Sequence, residues 1–155
     1  MLSENGKKIK QLHTTLSKMQ QMLEELQSVL SEELNQLKRA QVNPVSLQML
    51  SDNKSRLLST INFYDEQRKS EEQQLNLAAP YPQHIALKTI WEKIISSASK
   101  AKLINSSAFP LIEVHMQKAV TLKSMVRKID SGVSLYSASG KAQKNLMGKS
   151  YDINI

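Results

Sequence analysis

Apolar residues in the first third of the chain recur at Ile9, Leu12, Leu16, Met19, Leu23, Leu26 and Leu30, in alternating steps of three and four. That spacing keeps returning a side chain to one helix face, the seam of helices that pack side by side. Met22 and Val29 widen the stripe beyond a two-helix seam, as burial among several helices requires. The register breaks at Glu33, and Leu34 and Leu37 carry it on. The pattern predicts one helix over residues 7–39, about 50 Å long at 1.5 Å per residue.

A second stripe follows at Leu47, Leu50, Leu57, Ile61, Tyr64 and Leu75, with Leu58 beside it. Asn43-Pro44 opens it. Asparagine caps free N–H groups, and proline is pre-set for the first helical position. Ala78-Ala79-Pro80-Tyr81-Pro82 closes it, giving a helix over 44–78. The few residues between the first two helices force them antiparallel.

The third stripe is the longest: Leu87, Trp91, Ile94, Ala98, Ala101, Asn105, Ala108, Ile112, His115, Ala119, Leu122, Val126 and Ile129. Its phase passes through Pro110 unchanged, whereas a loop there would reset it. The pattern predicts one helix over 83–130 kinked at Pro110, with two helices broken at Ser106-Ser107 as the alternative. Gly132 is the expected stop. This helix would be about 70 Å long against about 50 Å for the others. Its last turns should therefore lack cover, and uncovered apolar stripes mark binding surfaces. The residues singled out are Leu111, Ile112, Met116, Ala119, Leu122, Met125 and Val126. From Ser131 the pattern dissolves into Ser, Gly and Lys with isolated apolar residues, too few to order the segment alone. The expected fold is all-α: an elongated antiparallel three-helix bundle over residues 1–130, coiled-coil-like, with a flexible tail over 131–155.

Charge sharpens the picture. The net charge is +7. Up to Pro80, ten basic residues balance ten acidic ones; from Tyr81 onward there are eleven basic and four acidic residues. The excess fits either an acidic partner or a lysine-rich solvated face. Lys118, Lys123, Arg127 and Lys128 crowd the end of the third helix, where the helix dipole already favours cations. Aromatic residues are only 5% of the chain, too few for a base-stacking platform, so nucleic acid is not the expected partner.

The sequence offers little chemistry. With no cysteine there are no disulfides, thiolate zinc sites or thiol nucleophiles, and this composition fits a reducing cytosol. His13, His84 and His115 stand singly, without acidic or histidine neighbours at metal-ligand spacing. His115 lies on the seam, as an interface histidine would. The acidic pairs Glu24-Glu25, Glu32-Glu33, Asp65-Glu66 and Glu71-Glu72 diverge by about 100° around a helix. Most of these carboxylates read as solvated faces pairing with Lys or Arg a turn away. No catalytic residue, metal or cofactor is expected. No run approaches the ~18 apolar residues of a membrane span, and the first residues lack a signal-peptide core, so a soluble chain without stable membrane insertion is expected.

Several stretches resemble the flagellar export chaperone FlgN family. They are Asp52-Asn53-Lys54-Ser55-Arg56-Leu57-Leu58-Ser59-Thr60-Ile61, then Tyr64 and Glu66-Gln67-Arg68-Lys69, then Trp91, Leu103-Ile104-Asn105 and Leu111-Ile112-Glu113. Leu135-Tyr136-Ser137-Ala138-Ser139-Gly140 and the closing Ile153-Asn154-Ile155 complete the match in order. The resemblance implies a cytoplasmic chaperone of flagellar type III secretion. Such a protein binds hook-associated junction proteins, keeps them from assembling early, and delivers them to the export gate. It implies that the tail helps bind client and gate, with Leu135 and Tyr136 docking the cytoplasmic domain of the gate; the residues singled out on the third helix, left without cover by its length, are then the expected client surface. Two other readings of the residues are a self-associating structural coiled coil and a helical protein associated with nucleic acid.

Overall fold

A computed structural model describes residues 3–129. Three helices follow in chain order: α1 (Glu4–Leu37), α2 (Pro44–Leu75) and α3 (Ile85–Ile129). The described residues contain no strand, and the all-α bundle read from the heptad spacing is the fold observed. Helix α1 is the centre of the bundle. Its backbone runs close to those of both α2 and α3, whereas the backbones of α2 and α3 hardly approach each other.

Local chemistry sets most helix ends. Ser3 caps α1 by accepting from the Gly6 N–H at 3.1 Å, a start three residues earlier than the apolar stripe suggests. Asn43 accepts from the N–H groups of Val45 and Ser46 at 3.1 and 3.2 Å, and Pro44 opens α2 as expected. Helix α2 stops at Leu75, three residues short of the expectation, because Asn76 turns left-handed at φ 53°. Asparagine tolerates that conformation better than most residues.

Leu12, Leu16, Met19, Leu23, Leu26 and Leu30 are all buried, so the α1 seam forms the spine of the core. Leu57 and Ile61 from α2, and Leu87, Ile94 and Ala101 from α3, close over it. A full burial of one such Leu or Ile contributes about 1.5–3 kcal/mol. Tyr81, which the Pro-rich stretch marked only as punctuation, is also core at 1% exposure and stacks edge-on against Trp91 with centroids 5.9 Å apart. Its φ of 57° is costly for a non-glycine residue, and the burial of its ring holds it there.

Helix α3 runs through Pro110 without a break, and the two-helix alternative is not what forms. Proline leaves the Ser106 carbonyl without its usual helical donor. Ala108 and Ile112, on either side, are buried against Leu37 and hold the helix together across that gap. The expected tail over 131–155, with Gly132 and the Leu135-Tyr136 pair, lies outside the described residues.

Candidate functional site

The site is built by a mismatch in helix length. At 45 residues α3 is about 68 Å long, whereas α1 has 34 residues and α2 has 32, or about 50 Å each. The register of α3 on α1 fixes where the excess emerges. Leu37, the last residue of α1, packs with Ala108 and Ile112, and Leu34, Leu47, Leu111 and Met116 close around them. His115 adds a polar clasp: its Nε2–H donates to the Leu37 carbonyl at 2.8 Å. That carbonyl belongs to the end of α1, where helical acceptors have no intrahelical donor. His115 is thus an interface histidine, as its seam position suggested.

Beyond this clasp the cover ends. Every residue from Gln117 to Ile129 is exposed. The residues singled out from sequence therefore fall into two groups. Ile112 is buried in the small cluster with Leu37, and Leu111 and Met116 are half-buried around it. Ala119, Leu122, Met125 and Val126 lie on the overhang, with Leu122 63%, Met125 58% and Val126 53% exposed. Ile129, at 85%, extends the same stripe, and Val120 is exposed beside it. Ala119, Leu122, Val126 and Ile129 continue the three-and-four steps that bury Ala101, Ala108 and Ile112 upstream. The overhang therefore presents, bare, the face that the rest of α3 lays on α1.

The overhang is also strongly basic. Lys118, Lys123, Arg127 and Lys128 lie within it and no Asp or Glu does. No ion pair among the described residues engages these four.

The buried ionic groups lie elsewhere, and their geometry is structural. Lys54, 1% exposed, donates to both carboxylate oxygens of Glu33 at 3.0 and 3.2 Å. Burial pushes the Lys54 ammonium below its usual range, and the attraction of Glu33 opposes this without cancelling it. Near the other end of α2, the Arg68 guanidinium joins Asp65 at 2.8 Å and Glu72 at 2.9 Å. Burial works against this cation, but its bonds to Asp65 and Tyr81 and the nearby charge outweigh it and raise its pKa. Trp91 of α3 lies flat against the site, with the guanidinium carbon 4.8 Å from its ring centroid. Glu72 also accepts from the Tyr81 hydroxyl at 2.6 Å and the Ala79 N–H at 3.1 Å. Burial, then the bond to Glu72, push the Tyr81 phenol well above its ordinary range. The carboxylates are saturated by their donors, and they tie the α2–α3 connection to the bundle.

The reading of the acidic pairs as solvated faces holds for Glu24, Glu25, Glu32 and Glu66 but not for Glu33, Asp65, Glu71 and Glu72, which are buried. A signal for two of these, Asp65 and Glu72, existed. Leu50, Lys54, Leu57, Ile61, Asp65, Arg68, Glu72 and Leu75 keep steps of three and four, so charged residues occupy seam positions where apolar ones would be expected. Glu71 is buried by α1 instead, where the Thr15 hydroxyl donates to it. Among the described residues, no group of three or more His, Cys, Asp or Glu gathers as a metal site. None of their helices is long and apolar enough to cross a membrane.

A bundle with one helix running bare beyond it, its apolar stripe intact, defines a helical scaffold with an open face. The chain belongs to the FlgN protein family, whose profile matches residues 1–144. It is 28% identical over 146 residues to the flagella synthesis protein FlgN of Yersinia enterocolitica, covering 94% of this chain and 99% of that relative. It is 23% identical over 133 residues to the flagella synthesis protein FlgN of Escherichia coli (strain K12), covering 86% and 91%. Membership ties the chain to flagellum biogenesis. No solved structure matches it.

Proposed function

We propose that the chain is a cytoplasmic export chaperone that holds hook-associated junction proteins of the flagellum on the overhang of α3, keeps them from assembling early, and delivers them to the export gate. The observation that carries the reading is the bare stretch from Gln117 to Ile129, with Leu122, Met125 and Val126 more than half exposed. Solvated apolar stripes of this kind suit the apolar face of a partner helix. Covering Leu122 and Val126 would contribute about 1.5–3 kcal/mol each. Ile112, Leu111 and Met116 anchor the root of the overhang and set its register. Leu135 and Tyr136 belong to the same reading as the element that docks the gate, separate from the client surface.

The test is the double substitution Leu122→Asp/Val126→Asp in the full chain. Capture of a junction protein should weaken by about 100-fold or more, the loss of roughly 3 kcal/mol or more of apolar contact. Helical circular dichroism and melting temperature should hardly change, since neither residue contributes to the core. Retained capture would refute the assignment, and so would unfolding of the variant. Tyr136→Ala should leave capture intact and lower binding to the gate's cytoplasmic domain; unchanged gate binding would reject that docking role.

A further inference from the structure

We infer that the overhang selects partner helices by charge, taking an amphipathic helix whose apolar stripe is flanked by acidic residues. This inference rests on the reading of the overhang as a partner surface and adds the chemistry of the partner.

Arg127 and Lys128 sit in the last turn of α3, where the helix dipole would favour them with no partner present. Lys118 and Lys123 lie six or more residues before Ile129, beyond the reach of that effect. All four are exposed, and no ion pair among the described residues engages them. The buried cations of the bundle are neutralised, Lys54 by Glu33 and Arg68 by Asp65 and Glu72. The overhang instead combines an open apolar seam with four cations and no carboxylate. Lys118 and Lys123 border the Ala119-Leu122-Val126-Ile129 stripe, one on each side, while Arg127 and Lys128 lie further round the helix. In helix pairs, charges that flank the seam choose the partner and the seam supplies the affinity.

The same arithmetic disfavours two occupants nearer to hand. A second copy laid overhang to overhang would bring Lys118 and Lys123 against the same two cations, and like charges across such a seam are destabilising. The chain's own residues 130–155 carry three Lys and two Asp, so they offer no acidic complement. A foreign helix with acidic flanks satisfies both the stripe and the charge. The bare stretch from Gln117 to Ile129 is about 20 Å long, so it matches about four turns of that helix.

The experiment uses the full chain and two synthetic amphipathic peptides of about fourteen residues, matched in helix content and apolar positions. One has glutamate at the flanking positions and the other lysine. Fluorescence anisotropy at low salt should show the glutamate peptide binding about tenfold more tightly or better, with the gap closing at about 0.5 M salt. The variant K118E/K123E/R127E should reverse the preference. Equal binding of the two peptides would overturn the inference. So would a preference that survives the charge reversal, or displacement of the glutamate peptide by duplex DNA that fails to bind the variant, which would assign the cations to nucleic acid. Junction-protein capture separates this inference from the chaperone reading. Capture that is lost with Leu122→Asp/Val126→Asp but indifferent to the charge reversal would sink charge selection and leave the chaperone assignment standing.

Discussion

Replacing Lys54 with methionine removes the ammonium from a pair in which both side chains are no more than 5% exposed, and leaves Glu33 facing the core without it. Methionine keeps the unbranched stem and is a good helix former, so the change isolates the charge. Breaking one side of a buried pair costs about 3–5 kcal/mol. Against a total stability of roughly 5–15 kcal/mol that is a large fraction, and at about 2–4 °C per kcal/mol it should lower the melting temperature by about 6–20 °C. The double variant Glu33→Met/Lys54→Met should behave oppositely. Burial lowers the Lys54 pKa even with the Glu33 carboxylate 3.0 Å away, so the attraction does not repay the loss of water. Removing both charges should therefore return stability to within about 1 kcal/mol of the original, or raise it by about 1–4 kcal/mol. The pH dependence has a definite sign. The folded state gives up the Lys54 proton below the unfolded value of 10.5, so the unfolded chain binds more protons in that window. The original chain should thus gain on the double variant as pH rises toward 10.5. Urea titration followed by helical circular dichroism across the four-member cycle measures all of this. A Lys54→Met cost below about 1 kcal/mol, or a double variant no more stable than the single, would refute the reasoning.

Tyr81→Phe should cost about 1.5–3 kcal/mol at neutral pH, since it deletes a 2.6 Å hydrogen bond to the Glu72 carboxylate. The folded phenol titrates above its unfolded value of 10, so this contribution is whole below pH 10 and fades as pH rises beyond it; denaturant melts showing a constant difference up to pH 11 would contradict the assignment. His115→Ala should cost about 0.5–1.5 kcal/mol and speed amide exchange in the last turn of α1 and in the adjoining turn of α3. His115→Gln, which keeps an N–H donor of similar reach, should recover part of both, and unchanged exchange in the alanine variant would show that the clasp does not hold the register.

The three helices were legible because their apolar residues keep phase over many turns, and phase survives local exceptions such as Pro110. Helix ends were less so, for reasons visible at single residues. The Ser3 cap precedes the first seam residue, Ile9, by nearly two turns, and the left-handed turn at Asn76 cuts α2 short while Leu77 still looks like its continuation. The overhang was legible as a difference in stripe lengths, but the position of its root was not. Ile112 and Leu122 belong to one stripe, and only the meeting of Leu37 with Ile112 decides that the first is core and the second bare. The buried charges were the least legible. A Lys or Glu at a seam position is read by composition as solvated, and its burial depends on a partner from another helix, as with Glu33 for Lys54. Tyr81 was hidden for a related reason: its place in the core depends on Glu72 and Trp91, distant in sequence.

The bare end of α3 also separates two kinds of evolutionary constraint along one helix. Up to Met116 each seam residue helps hold the bundle, so a substitution there is penalised by instability whatever it does for binding. From Gln117 onward the side chains are exposed, and a change of residue shifts stability by only about 0.5 kcal/mol either way. Selection can therefore retune those thirteen positions to a new partner without crossing the threshold that folding imposes. Among relatives of this length, the stretch past the His115 clasp should diverge in step with the proteins it meets, while the leucine spine of α1 changes slowly.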